Sequence, residues 1–471
     1  MIPCSLGELA AVTGGRLSVA DVTDVIVTGA VVTDSREAEP GSLYVARIGE
    51  HADGHIYTGA AAERGAVAAL VTAPVSEVPY VIVDDVQEAF AAIATHLIDT
   101  GARSGLTVVG VTGSSGKTTT KDLIAHVLSS LAPTVANVGS LNSEVGVPLT
   151  VCRLVPETRY LVLEMGARGI GHVRYLTDMT HPSVGVVLNV GSAHLGEFGT
   201  QQAIARAKAE LVEALPPGGL AVLNADDPLV AAMPVSEGVD VLRYGRSDEA
   251  DVRATNVQVN DSGCATFDLN FRCETVTVDL RLMGDYQVSN ALAAACVALW
   301  RGMSLADVGA SLSAATPASR YRMERHERSD GVTIVNDAYN ANPESMRGAV
   351  QTLSRMGASG RRTWAALGQM LELGPDSASE HRAIGALARD LGITSVVAVG
   401  DSADVEALAQ GASERLHQGE GPAVYRAASV DEAEGLLARN LQEGDLVLVK
   451  SSHGAGLRVL GERLVEGASH P

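Results

Sequence analysis

107-TVVGVTGSSGKTTTKDLIAHVLSSL-131 decides how the rest of the chain is read. Thr107 to Val111 form a β-branched apolar run that predicts a buried strand, and Leu123, Ile124, Val127, Leu128 and Leu131 recur at the spacing of one helix face. The loop between them, Gly113-Ser114-Ser115-Gly116, therefore sits at a helix N-terminus. There, unpaired backbone N–H groups and the positive end of the helix dipole attract anions. Gly113 and Gly116 allow close backbone approach, Lys117 adds a mobile positive charge, and Thr118, with Thr119 beside it, offers a hydroxyl to Mg²⁺. Position 111 is Val where the full P-loop pattern has Gly, so what stands here is the shorter GxxGKT form. The order of strand, loop, Lys-Thr-Thr and helix predicts a cradle for nucleotide phosphates. A glycine-rich turn capping a helix, with Lys117 in solvent, is the alternative.

A chain of 471 residues is long enough for about two to four domains, each with its own core. Aromatics make up only 3% of it, and the 46% apolar content is mostly Ala, Val and Leu, which suits layered α/β packing through aliphatic side chains. A net charge of −21 and a pI of ≈ 4.9 argue against nucleic acid as a partner, because a phosphate backbone is bound by clustered Lys and Arg. An anionic nucleotide must then be held by local devices such as the loop above. Cys4, Cys152, Cys264, Cys273 and Cys296 form no CxxC pair, which argues against disulfides and a zinc site and predicts small buried hydrophobes. No signal-like segment opens the chain and no apolar run reaches membrane-spanning length. The expectation is a cytoplasmic, soluble monomer without membrane insertion.

Three blocks separate along the chain. Residues 1–84 hold short β-like runs broken by Gly and Pro, a small α/β unit. Its polar cluster of Asp34, Ser35, Arg36, His51, Asp53 and His55 reads by itself as a solvated connecting loop. Residues 85–316 alternate strand-like and helix-like runs, which predicts parallel βαβ units whose ligands sit beyond the carboxyl ends of the strands. Residues 317–471 repeat the pattern, with VTIV before NDAYNANP, TWAAL before GQMLELG, VVAV before GD and LVLV before KSSHG. A second nucleotide-fold-like sheet follows, with Asn342 and Pro343 as N-cap and first residue of a helix that buries Met346, Val350 and Leu353. Two strand-end rims in separate units predict a cleft that closes on its substrates.

The strand ends carry the chemistry. Glu164 follows YLVL, Asn189 follows VGVVL and leads to His194, and Asn224 follows LAVL, all on the rim of Lys117. Mg²⁺ takes oxygen ligands and keeps several waters, so one hydroxyl and one carboxylate suffice beside the phosphates, and Thr118 with Glu164 fits. Other readings stay open at this point. Glu164 could be a helix cap or salt-bridge carboxylate, His194 a structural histidine, and Lys208 a solvated helix lysine. Asn290 could cap a helix, Arg322 could belong to a solvated cluster with Arg320 and Arg325, and Asp337 could serve a turn.

Taken together, TGSSGKTTTK, NVGSLNSEVGVPLT, LEMGARGIGHV, NVGSAHLGEFG, IARAKAEL, LNADDP and NDAYNANPESM resemble the Mur ligase family of peptidoglycan synthesis. The resemblance runs from the DSR segment at residue 34 to VLVK at residue 450, and YNANP and MLELG point to the branch that joins D-alanyl-D-alanine to UDP-N-acetylmuramoyl-tripeptide. It implies an α/β chain of three domains: a small N-terminal α/β UDP-binding domain over 1–84, a central P-loop parallel-sheet ATPase domain over 85–316, and a C-terminal Rossmann-like domain over 317–471. It implies ATP and two Mg²⁺, with Gly113, Ser114, Ser115, Gly116, Lys117, Thr118 and Thr119 around the phosphates and Thr118, Glu164 and His194 on magnesium. Lys208 matches a family lysine carbamylated by CO₂, which would turn a cation into an anion able to position the second Mg²⁺. The implied catalytic set is Lys117, Lys208 and His194. Asn290 matches the residue that reads adenine, and Arg322 and Asp337 match nucleotide contacts from the C-terminal side. On the substrate side, Ser35 and Arg36 face the UDP-sugar, Asn142 lies in the NxxxGVP loop, and Asn340 and Asn342 stand near ATP and the incoming dipeptide. Lys450 would reach the acyl phosphate or the substrate carboxylate.

The implied reaction activates a carboxylate as an acyl phosphate, which the dipeptide amine then attacks, and no covalent enzyme nucleophile is required. Three positions depart from the family pattern: Gln369 replaces an acid, Ser451 a glycine and His453 an arginine, which puts the C-terminal contacts in question. A folylpolyglutamate synthetase-like ligase would lack YNANP and the DSR segment, and a non-catalytic nucleotide-binding regulator could lose Glu164 or Lys208; all are present.

Overall fold

Strands covered on both faces read as near-continuous apolar runs, and four in the middle of the chain do, with polar residues only at their ends. Thr107–Thr112, Tyr160–Glu164, Val184–Val187 and Leu220–Asn224 are buried at every residue. The structure, a computed structural model, describes residues 1–49, 52–191, 195–414 and 421–467. His51 and His194 lie outside the described residues.

These four strands sit inside a nine-stranded sheet. Its order from one edge is Glu274–Met283, Cys264–Phe271, Val252–Val259, Asp240–Gly245, Leu220–Asn224, Val184–Val187, Thr107–Thr112, Tyr160–Glu164 and Thr134–Ala136. Pairing is parallel from Val252–Val259 to the far edge, so the carboxyl ends of these strands open on one rim. The first three strands form an antiparallel meander that the expectation of uninterrupted βαβ units does not contain. Its signature is alternating burial: Ala265, Phe267 and Leu269 point into the core while their neighbours are only partly covered.

The first unit carries a five-stranded sheet in the order Arg16–Leu17, Tyr80–Ile82, Ala68–Val71, Leu43–Val45 and Val31–Val32, parallel except at the first pair. Its two faces enter different cores. Tyr44, Ala69 and Val71 face a small cluster of their own. Leu43, Val45, Leu70 and Val81 join Phe90, Ile93 and Leu97 of the helix Val86–Arg103, and this cluster runs on to Leu161, Leu163 and Leu176 beneath the nine-stranded sheet.

The last unit is a six-stranded sheet ordered Glu324–Glu327, Thr333–Asn336, Leu446–Lys450, Thr363–Leu367, Ser395–Val399 and Ala423–Ala427, parallel apart from its first strand. Asn342 caps the helix Pro343–Met356 through a capping box with Ser345, and Met346, Val350 and Leu353 are buried on its inner face. Two expectations need correction. The helix after the phosphate loop ends at Ser129, so Leu131 lies beyond it and is 42% exposed. Cys273 is exposed at the turn between two meander strands, whereas Cys4, Cys152 and Cys296 are buried.

Because Phe90 is fully buried on the helix that two units share, Phe90→Ala is expected to cost about 3–5 kcal/mol. Denaturant unfolding followed by separate probes in the first and middle units checks this, and a loss seen only in the first unit would contradict the shared core.

Candidate active site

The phosphate loop is shaped by a clamp from the next strand. Ser114 and Ser115 donate their backbone N–H groups to Asn189 Oδ1 at 3.0 and 2.9 Å, and Asn189 Nδ2 donates back to the Ser115 carbonyl at 3.2 Å. Gly116 closes the loop at φ 81°, a left-handed conformation suited to glycine, and starts the helix Lys117–Ser129. A Cβ at Gly116 would stand 2.6 Å from Asn290 Oδ1, so the loop lies against that side chain. Asn290 in turn accepts from Thr120 Oγ1 at 3.1 Å and donates to Gln287 Oε1 at 2.7 Å. Lys117 folds back to donate from Nζ to the Gly113 carbonyl at 2.8 Å. Burial lowers its pKa, the carboxylate of Glu164 opposes that, and Arg322 adds to it.

Glu164, at the end of its strand, is 1% exposed. Its Oε2 accepts from Thr118 Oγ1 at 2.8 Å, and its Oε1 from Ser140 Oγ at 2.8 Å and Asn142 Nδ2 at 2.6 Å. Asn137 Oδ1 takes the Glu164 backbone N–H at 2.6 Å and so fixes the strand end. Lys208 is buried on the helix Gln201–Glu213 and lines the same cleft, and its ammonium has no hydrogen bond among the described residues. Burial, reinforced by the positive charge of Lys117, lowers its pKa well below the ordinary value. Two residues further on, Glu210 caps the helix His172–Thr180 by accepting from the N–H groups of Gly171 and Arg174 at 2.6 and 2.8 Å.

The six-stranded sheet closes the other side. Arg322 Nη2 donates to Thr118 Oγ1 at 3.1 Å, and its guanidinium carbon lies 4.2 Å from the centre of the Tyr339 ring, a cation–π contact. Its buried Nε has no hydrogen-bond partner among the described residues. Asn342 Nδ2 donates to the Ser114 carbonyl at 3.3 Å, a second link from this sheet to the phosphate loop. Lys450, at the end of Leu446–Lys450, pairs with Asp337 Oδ2 at 2.6 Å and donates to the Asn340 carbonyl at 3.0 Å. Burial lowers the Lys450 pKa, and Asp337 works against that shift.

A cleft of ≈ 1140 Å³ lies between the two rims. Gly113 to Thr119, Asn142, Glu164, Lys208, Asn290, Arg322, Asp337, Asn340, Asn342 and Lys450 all line it. Ser35 and Arg36 do not. They stand in the first unit, where Arg36 is locked by a forked pair to Asp34, Nε to Oδ1 at 2.9 Å and Nη2 to Oδ2 at 2.6 Å. That pair lowers the Asp34 carboxyl to about 2. Of the three departures from the family pattern, only His453 reaches the cleft, edge-on to Tyr339 with ring centres 5.7 Å apart. Gln369 instead binds Asp404 at 2.8 Å, and Ser451 is buried. Ser140, Asn137 and Tyr339 are site-shaping residues that the sequence reading did not single out, although each lies inside a segment it quoted.

Comparison with known proteins adds the following. Residues 111–298 match the model of the Mur ligase middle domain and residues 321–453 that of the Mur ligase glutamate ligase domain. The chain is 42% identical to the UDP-N-acetylmuramoyl-tripeptide--D-alanyl-D-alanine ligase of Mycobacterium tuberculosis, over 99% of this chain and 98% of that protein. It is 34% identical to the enzyme of the same name from Escherichia coli, over 100% of both. The solved structure of MurF from Acinetobacter baumannii superimposes with a TM-score of 0.86 at 30% identity, covering 98% of this chain and 99% of that one. That of MurF from Thermotoga maritima in complex with ADP gives 0.80 at 27% identity, covering 95% and 99%.

With the Lys208 pKa depressed, the unfolded chain binds more protons than the folded one between that lowered pKa and 10.5, so this group's contribution to stability rises with pH through the window. In CO₂-free buffer Lys208→Met is therefore expected to be more stable than the parent at neutral pH, with the gap closing as pH approaches 10.5. Thermal unfolding across that range checks it; a gap independent of pH would exclude the buried ammonium as its source.

Proposed function

This chain belongs to the Mur ligase family, and on that premise we propose that it joins D-alanyl-D-alanine to UDP-N-acetylmuramoyl-tripeptide, converting ATP to ADP and phosphate in the cytoplasmic supply of peptidoglycan precursor. One observation carries the reading. Arg322 and Asn342, from the six-stranded sheet, reach the hydroxyl of Thr118 and the carbonyl of Ser114, so both halves of the cleft meet on the phosphate loop. We divide the work at 84/85 and 316/317, with the UDP-sugar on the first unit, ATP on the second and the dipeptide between the second and third.

A carboxylate is a poor acyl donor because oxide cannot leave. The tripeptide carboxylate therefore attacks the γ-phosphorus of ATP, ADP departs, and the amine of the dipeptide attacks the acyl phosphate carbon with loss of phosphate and a proton. The protein's share is positioning and charge neutralisation. With the N–H groups of Ser114 and Ser115 held by Asn189, the backbone N–H groups of residues 116–118 at the helix start cradle the phosphates, and Lys117, already poised over the loop, swings onto them. Arg322, whose Nη2 already reaches Thr118 Oγ1, brings its guanidinium charge to the same place. Asn290 lies against Gly116 and reads the base, while Asp337 and Lys450 hold the nucleotide and acyl phosphate from the far rim. Asn340 and Asn142 flank the reacting groups, and Ser35 with Arg36 takes the UDP-sugar.

Thr118 Oγ1 and Glu164 Oε2, 2.8 Å apart, form the hard oxygen set that Mg²⁺ prefers, and His194 is the third residue we assign to it. Bound there, magnesium would neutralise charge developing on the phosphates. Lys208 fits carbamylation on physical grounds: a buried amine with a lowered pKa spends more of its time neutral, the form that adds CO₂ and releases a proton. The resulting carbamate would give the second ion an anionic ligand.

Phosphate release measured with purified substrates tests the activity. Release is expected only when ATP, the UDP-linked tripeptide and the dipeptide are all present, and Lys117→Ala is expected to lower kcat by about 10²–10³-fold or more. Full release without the dipeptide, or in the Lys117→Ala variant, would overturn the assignment. Lys208→Ala is expected to lose activity together with the bicarbonate dependence of the parent, checked by assays in CO₂-free and bicarbonate-containing buffer.

A further inference from the structure

Outside the lining of the cleft, the N-terminal segment and the helix Val86–Arg103 bring three different ligand types to one point. The strand Cys4–Ser5 pairs with Ile26–Val27 and fixes Cys4, whose side chain is buried. Ser5 then caps the helix Leu6–Thr13 by accepting the Glu8 N–H at 3.2 Å, which sets Glu8 in the first turn, one turn along from Cys4. His96 comes from the long helix and places Nε2 3.0 Å from Glu8 Oε1. The Cys4 sulfur, a Glu8 carboxylate oxygen and a His96 ring nitrogen all lie within 4.8 Å of one another, the one such group of three among the described residues.

We propose that Cys4, Glu8 and His96 form a divalent transition-metal site of the zinc class that staples the N-terminal helix to the helix Val86–Arg103. Sulfur, nitrogen and oxygen donors together suit zinc, which binds them at about 2.0–2.3 Å, so ligands on a tetrahedron stand roughly 3.3–3.8 Å apart. The Glu8–His96 pair, at 3.0 Å, would open by a few tenths of an ångström to reach that spacing, and the pairs with the Cys4 sulfur already lie within 4.8 Å. Three protein ligands leave a fourth position, and the partial exposure of Glu8 and His96, 46% and 24%, gives both a path for the ion and room for a water there. Binding exchanges the thiol proton for the metal: the Cys4 S–H bond breaks, the sulfur–metal bond forms, and one proton goes to solvent, while neutral His96 and ionised Glu8 donate lone pairs. Because the thiol must lose its proton to bind the ion, affinity should rise with pH. The absence of a CxxC pair argued against zinc from sequence, but Glu8 and His96 are 88 residues apart and only the fold brings them together.

The probe is Co²⁺ added to the full-length protein in excess Mg²⁺, since cobalt bound to a thiolate shows a near-ultraviolet charge-transfer band that oxygen-only sites lack. One equivalent is expected to produce the band with tetrahedral visible absorption. Cys4→Ser should abolish the band, and His96→Gln should weaken affinity by more than the roughly 10–100-fold that loss of an outer-shell partner costs. Cys273→Ser, which removes an exposed thiol elsewhere, should change nothing. His96 is partly exposed, so its variant stays informative even if Cys4→Ser fails to fold. No band in the parent, a band that survives Cys4→Ser, or an affinity unmoved by His96→Gln would each mean a hydrogen-bonded triad only and overturn the site. These outcomes do not depend on the ligase reading.

Discussion

A carboxylate sealed inside a protein must be surrounded by donors, because an unpaired buried charge costs several kcal/mol, and Glu164 imposes that requirement on everything around it. It is met from two directions. Thr118 donates from the start of the helix after the phosphate loop, and Ser140 and Asn142 donate from the loop after Thr134–Ala136. The first residue of that loop, Asn137, fixes the strand end by accepting the Glu164 backbone N–H. The hydroxyl of Thr118, having donated to Glu164, has its lone pairs free to accept, and Arg322 fills that role from the other sheet. One buried charge thus sets the position of the phosphate loop, the neighbouring loop and the first contact between the two halves of the cleft.

The opposite rim is arranged by a second buried pair and by backbone strain. Lys450 and Asp337 neutralise each other, and Asp337 uses its other oxygen to accept the N–H of Met323 at 3.0 Å. Met323 at φ 52° and Tyr321 at φ 58° are both left-handed, on either side of Arg322. Such conformations in residues other than glycine cost of order 1–3 kcal/mol each and persist only when neighbours over-determine them. Here the neighbours are Asp337 on Met323 and Glu324, which accepts the Tyr321 N–H at 2.9 Å. The strain is concentrated where the chain passes from one sheet to the next and aims a guanidinium across the gap.

Local features were legible in the sequence and distant ones were not. The strand before Gly113, the helix after Lys117 and the cap at Asn342 depend on neighbours a few residues away, and spacing alone exposed them. Asn189 was visible as a strand-end residue, but its grip on Ser114 and Ser115 spans some 75 positions and has no sequence signal. Lys208 shows the limit most clearly. Read by itself it could be a solvated helix lysine, and only the packing of its helix against the nine-stranded sheet reveals a buried ammonium without a hydrogen bond among the described residues. The antiparallel meander was missed for a different reason, since its period-two pattern was present but was absorbed into an expectation of continued βαβ units.

The helix Val86–Arg103 belongs to two cores, and that bears on how the chain is made. Synthesis proceeds from the N-terminus, yet the core that one face of the first sheet enters also draws on residues well beyond the first unit, Leu161 and Leu176 among them. On the ribosome the first eighty or so residues must wait, half covered, for nearly as many again to emerge. The last sheet, whose two core clusters draw almost entirely on residues beyond Met323, carries no such debt to the segments before it and can close as soon as it is released. Order of birth and order of completion therefore differ in this molecule, and the nascent first unit is the stage most in need of protection from other chains.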